Sequence, residues 1–142
     1  NVGTVYERLM NRGALLVLKT VKAIEAGDYP QLPQDESVFI HHAPKIFKET
    51  CAINWEQPAE VIYNFIRGLS PYPAAWTMLN DKSCKIFKTS ITGKKLAPGT
   101  IDTDNKTYLH MGTADVALSI EDLQIQGKKR MDIGSFLRGN KI

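Results

Sequence analysis

The stretch Gly127-Lys128-Lys129-Arg130-Met131 puts three consecutive cations on a short connection. An alternating apolar segment precedes it, and a short helix pattern opening at Asp132 follows. Three adjacent charges cannot enter a core, so they project a local positive field, the chemistry that grips a polyanion such as RNA. The same run also occurs on plain solvated turns, so its meaning depends on its neighbours. Lys94 and Lys95 occupy a second basic loop, Gly93 to Gly99. Lys85 and Lys88 share one predicted strand; their odd spacing sends them to opposite faces, and Lys88 is favoured as the one that joins the patch. Lys45 and Lys48 lie in a connector that contains proline.

Other reactive side chains point elsewhere. His41-His42 has no third ligand nearby, so no metal site is expected. Cys51 and Cys84 fit no metal-ligand spacing and read as buried thiols in a reducing compartment. Arg67 is expected to pin the turn after its helix through the turn's carbonyls. Trp55, Tyr72 and Trp76 flank that helix and turn, where packing is favoured over stacking on bases.

Charge is unevenly placed. Up to Asp81 the chain carries seven Lys/Arg against nine Asp/Glu; from Lys82 onward it carries eleven against six. An anionic partner therefore belongs with the second half, although the whole chain is only +3. With 142 residues, 43% of them hydrophobic, the chain suits one ordinary globular domain, or one small domain with an arm. No apolar run approaches the roughly 20 residues of a membrane-spanning helix. The first residue is Asn1 rather than Met, which suggests a piece of a longer protein.

The elements that must position these side chains follow from patterning. Thr4-Val5-Tyr6-Glu7 resembles a capping box, and Val5, Leu9, Leu16, Val21 and Ile24 recur near helical spacing until Gly27. Residues 28–52 read as an extended connector, with Pro30, Pro33 and Pro44. Pro58 to Leu69 predicts a helix with Ala59, Ile62, Phe65, Ile66 and Leu69 on one stripe, ended by Ser70-Pro71-Tyr72-Pro73. Trp76–Leu79 and Cys84–Thr92 predict a hairpin around Asn80-Asp81-Lys82, and 100–103 with 106–111 a second around Asp104-Asn105. Val116, Leu118 and Ile120 share one phase, but Leu123 and Ile125 are in the other, which predicts a β-bulge near Glu121-Asp122. Asp132 is expected to cap a last helix ending at Gly139. Five short strands with a helix before and one after fit a small antiparallel barrel of the OB type, or another small barrel.

The chain resembles the C-terminal part of the bacterial methionyl-tRNA formyltransferases. The likeness runs in order through Leu9, Gly13 and Ala14; Ala43-Pro44-Lys45-Ile46; Ile53-Asn54-Trp55; Ile66 to Ala75; Ala97 to Ile101; and Leu123 to Met131. Tyr72 stands where the family has Trp, and Ala74 where it has Gly. Thr113-Ala114-Asp115 falls in the family's Thr-Gly-Asp-Gly stretch.

The resemblance implies three segments: residues 1–27 as the last helix of a truncated catalytic domain, 28–52 as a linker, and 53–142 as an OB-like tRNA-binding domain. It implies an enzyme, cytoplasmic and monomeric when complete, that formylates the amino group of methionyl initiator tRNA with 10-formyltetrahydrofolate. The family's catalytic Asn, His and Asp lie upstream, and none of His41, His42 and His110 falls at a matching motif. No catalytic residue is therefore assigned, and this chain alone is expected to be inactive and to hold no cofactor. Lys45, Lys48, Lys88, Lys94, Lys95, Lys128, Lys129 and Arg130 become candidate tRNA contacts. Two alternatives stay open: a relative that formylates a nucleotide-sugar or other small substrate, and a structural or oligomerisation module.

Overall fold

A computed structural model of the chain describes residues 1–38 and 41–142. Within the connector expected over 28–52, residues 39 and 40 therefore lie outside the described part. The chain forms two compact units, one of residues 4–46 and one of residues 47–142 together with 1–3.

The smaller unit is dominated by helix α1, Val2–Glu25. Because the helix already begins at Val2, Thr4 lies inside its first turn and is not the cap that the Thr4–Glu7 pattern predicts. Gly27 ends it with φ of 71°, a left-handed conformation that costs glycine little. None of the residues of α1 is buried; Leu9 and Leu16 keep 65% and 64% of their surface, so the apolar stripe is exposed among the described residues. A single 3-10 turn, Glu36–Val38, follows. No helix among the described residues is long and apolar enough to cross a membrane.

The larger unit opens with a 3-10 turn, Glu49–Cys51, and a parallel bridge between Ala52 and Trp76. Helix α2, Ala59–Leu69, follows, burying Ala59, Ile62, Ile66 and Leu69. Six antiparallel strands complete it: β1 Ala75–Leu79, β2 Lys82–Ile91, β3 Ile101–Thr103, β4 Leu109–Met111, β5 Leu118–Ile125 and β6 Met131–Asp132. The order is β1-β2-β5-β4-β3, with β6 also paired to β5. Helix α3, Ile133–Gly139, closes the chain, and the Asp132 side chain accepts from the Ser135 amide as a cap should. The result is an antiparallel half-barrel with helices, in keeping with a small OB-like domain. One continuous core joins α2, α3 and the sheet through Ile66, Ile86, Leu109, Leu118, Ile120 and Leu123.

Local chemistry explains the connections. Leu79 pairs with Lys82, leaving Asn80 and Asp81 as a two-residue turn with φ of 47° and 59°, the backbone that a right-twisted hairpin wants. In the β3–β4 hairpin Thr103 pairs with Leu109, so the loop is longer and β4 starts later than the 106–111 span predicts. Asp104 causes this by accepting from the amides of Lys106, Thr107 and Tyr108, which holds the chain in a turn. The β2–β5 register shifts on both strands: Glu121 has no partner between Ile120 and Asp122, and Phe87 none between Ile86 and Lys88. The first is the bulge that the change of apolar phase predicts.

Positions where the chain departs from the family's motifs, and Asp115 beside one of them, also find their places. Ala74 holds φ of 73°, the left-handed conformation that its usual Gly adopts freely. Asp115 reaches across to α2 and accepts from the Ala59 amide at 2.8 Å, supplying from a distance the cap that Pro58 cannot give. Tyr72 is 82% exposed and does not bind the helix to the sheet. Trp55 and Trp76 do pack against the core, with Trp55 Nε1 donating to Thr77 Oγ1 at 3.0 Å.

Candidate nucleic-acid interface

Six of the predicted cations fall into two groups once the sheet is folded. In the first, each is tied to a carboxylate. Lys88 Nζ lies 2.8 Å from Glu121, and this contact holds its ammonium above the usual lysine value. Lys94 Nζ lies 2.6 Å from Asp102, a hydrogen bond that lowers the Asp102 carboxyl; His110 Nδ1 is 3.4 Å from the same oxygen. Arg130 forks onto Asp122, with Nε 2.9 Å from each oxygen, and its guanidinium carbon sits 4.2 Å from the centre of the Phe87 ring. These pairs cancel charge locally, which leaves little field for a distant anion.

The second group, Lys48, Lys128 and Lys129, is uncompensated among the described residues. The turn from β5 to β6 is built by Gly127, with φ of 78°, by the Lys128 amide donating to the Ile125 carbonyl at 2.9 Å, and by Gln124 Nε2 donating to the Lys128 carbonyl at 2.9 Å. Lys128 and Lys129 stand exposed at its tip. On one side lies a hollow of about 290 Å³ lined by Lys48, Lys85, Ser83, Gln124, Gln126 and Gly127. On the other lies a hollow of about 330 Å³ that includes Lys82, Lys128 and Lys141; Ile125 borders both. Among the described residues none of these six lysines forms an ion pair, and no acid lines either hollow. Two acids adjoin the cluster in sequence, Glu49 beside Lys48 and Asp81 beside Lys82, and neither pairs with these lysines among the described residues.

Lys48 is fixed at the rim of this region. Its carbonyl accepts from Trp76 Nε1 at 2.8 Å, and its Nζ lies 5.7 Å from the centre of that indole. Lys95 is exposed on its loop, and Lys45 is exposed within the 4–46 unit.

The strand-parity argument for Lys85 and Lys88 fails here for a physical reason. Phe87 is bulged between them, so both lysines are exposed while Ile86 and Thr89 are buried. Lys85 joins the uncompensated region and Lys88 meets Glu121. Lys82 and Lys141 are not among the predicted contacts; neither belongs to the 127–130 run, and only the fold brings them together with it. Arg67 lies 5.7 Å from the Tyr63 ring centre and makes no hydrogen bond to the following turn among the described residues. No group of three His, Cys, Asp or Glu suited to a metal occurs among the described residues. Cys84 is buried, and burial pushes its thiol up to about 12.

Comparison with known proteins agrees with this fold. The sequence pattern described as the formyl transferase C-terminal domain matches residues 45–141. Methionyl-tRNA formyltransferase from Bacteroides fragilis is 44% identical over 98% of this chain, which covers 46% of that protein. The enzyme of the same name from Parabacteroides distasonis is 43% identical over 99% of this chain and 47% of its own length. The chain thus spans about half the length of the curated relatives it matches. Among solved structures, a variant of HypX from Aquifex aeolicus has a TM-score of 0.64 at 24% identity, over 88% of this chain and 23% of that one. HypX in complex with tetrahydrofolic acid gives 0.64 at 23%, over 85% and 22%. These two likenesses show the fold. With more than half of its length matched by the family's pattern, the chain belongs to the formyl transferase C-terminal domain family.

Proposed function

We propose that this chain is the tRNA-gripping C-terminal part of a methionyl-tRNA formyltransferase. The observation that carries the reading is the uncompensated lysine cluster around the β5–β6 turn, on a fold whose relatives carry that enzyme name. In this reading the complete protein formylates the amino group of methionyl initiator tRNA, with 10-formyltetrahydrofolate as co-substrate, in the cytoplasm. The catalytic and folate-binding residues belong to a separate domain. The proposed organisation remains 1–27 as a catalytic-domain helix, 28–52 as linker and 53–142 as the tRNA-binding domain.

Lys48, Lys128 and Lys129, joined by Lys82, Lys85 and Lys141, supply phosphate contacts. Lys45 in the connector and Lys95 on its loop extend the grip. Lys88, Lys94 and Arg130 contribute less, because binding RNA would first cost them a carboxylate partner. Contacts of this kind act at a distance from the chemistry: they hold the aminoacyl end in place, and that fixed geometry lowers the barrier elsewhere. They carry no direct sequence information, so choice of initiator tRNA over others is not made by these lysines. The supporting result is saturable tRNA binding, followed by anisotropy, that weakens steeply between low and physiological salt. Salt-independent binding, or none at low salt, would remove the reading.

The bare apolar stripe of α1 favours one second reading, a packing or oligomerisation module. Sedimentation equilibrium at two concentrations separates them: self-association that persists when α1 is made polar would count against it.

A further inference from the structure

The hollow of about 330 Å³ differs in kind from an open basic surface. Its floor is apolar, made by Leu79, Ile125 and Phe136, and Lys82, Lys128 and Lys141 border it. Two asparagines complete the rim in fixed orientations. Asn80 Nδ2 donates to the Lys141 carbonyl at 3.3 Å, and Asn140 Nδ2 donates to the Phe136 carbonyl at 2.8 Å. Both amide oxygens are left as acceptors. We propose that this hollow takes one unpaired nucleotide of a bound RNA, with its phosphate among the lysines and its base over the apolar floor.

The proposal rests on the tRNA reading above and deepens it by naming what is held. A phosphate alone needs cations and no apolar floor; a paired stretch presents no free base to enter. An unpaired nucleotide needs both surfaces, and single-stranded nucleotides are the ones proteins splay out and stack. The size lies at the lower end of small-ligand sites, enough for one nucleotide and not for two. The walls come from three separate elements, the β1–β2 turn, the β5–β6 turn and the end of α3. The C-terminal end of α3 repels an anion, which places the phosphate on the lysine side and the base nearer the helix.

Gly139 offers a blocking variant. It lines the hollow at the last position of α3, and a Cβ added there meets nothing within 4 Å. Gly139→Leu therefore fills space without altering charge, and it favours the helix. The test follows amide NMR shifts of this chain with each of four nucleoside 5′-monophosphates, and anisotropy of labelled tRNA. At least one monophosphate should shift the amides of Asn80, Lys128 and Asn140. Gly139→Leu should abolish those shifts and weaken tRNA binding by at least about fivefold at an unchanged salt slope, the loss expected for one stacked base. A second variant, Lys82→Ala with Lys141→Ala, should lower the salt slope by about 2.

No shift at those amides, or shifts that persist in Gly139→Leu, would overturn the assignment. So would tRNA affinity identical in the native chain and both variants; if that binding stayed salt-sensitive, the tRNA reading would stand while the nucleotide site fell. A native chain that binds no tRNA would remove both.

Discussion

Arg130→Ala decides whether the third cation of the turn is a strut or a ligand. The guanidinium makes a forked contact with Asp122, and its carbon lies 4.2 Å from the centre of the Phe87 ring. The pair is half-exposed, with 45% of the Arg130 side chain and 22% of the Asp122 side chain accessible. Screening therefore limits the ion pair to about 1 kcal/mol, the top of the range for exposed pairs. The contact with Phe87 adds about 0.5–1 kcal/mol. Together these give about 1.5–2 kcal/mol, which for a unit of this size lowers the thermal midpoint by roughly 6–16 °C. Circular dichroism melting and tRNA anisotropy on the same sample read both quantities. A strut predicts a lower midpoint with a salt slope changed by less than about half a unit. A midpoint within about 2 °C of the native value, with the slope reduced by about 1, would mean that Arg130 spends its charge on phosphate and would refute the reasoning.

Three further outcomes follow from the same structure. Hydrogen bonds from the Ala59 and Val116 amides and the Thr113 hydroxyl hold the Asp115 carboxyl below the usual carboxylate range. Its contribution is therefore present at neutral pH and lost as pH falls through that depressed value; Asp115→Asn should unfold at lower urea at pH 7, with the gap narrowing toward about pH 3. A gap that does not change with pH would contradict this. A Cβ on Gly112 would stand 2.0 Å from the Ala97 carbonyl oxygen, so Gly112→Ala must move backbone and should cost at least about 2 kcal/mol, read as the urea midpoint. Cys84 should resist a disulfide reagent in the native chain at about pH 8 and react freely in denaturant; fast native labelling at that residue, located by mass spectrometry, would show that the sheet around it opens.

The parts of the fold legible in the sequence were those that depend on local chemistry. The stripe of α2, the Asn80-Asp81 turn, the Asp132 cap and the bulge at Glu121 each leave a signal within a few residues. Strand β6 left none, because two residues are too few to show a period. The Asp104 cap was hidden because a side chain that gathers three amides looks in sequence like an ordinary turn residue. At the candidate interface the 127–130 run was plain, but which of its charges are neutralised was not. That depends on Asp122 and Glu121, whose neighbours are set by the β2–β5 register. The second bulge, at Phe87, reversed the parity of Lys85 and Lys88; its sequence signal is the adjacent apolar pair Ile86-Phe87, where the apolar phase moves from Cys84 and Ile86 to Phe87 and Ile91.

The central claim is that tRNA affinity resides in the uncompensated lysines and not in the paired ones. The most direct measurement compares the salt dependence of tRNA binding for the native chain, for Lys128→Ala with Lys129→Ala, and for Lys88→Ala with Lys94→Ala. Both double variants remove the same formal charge. The account predicts a slope lower by about 2 in the first and nearly native in the second. Equal losses in the two, or a larger loss in the second, would contradict it.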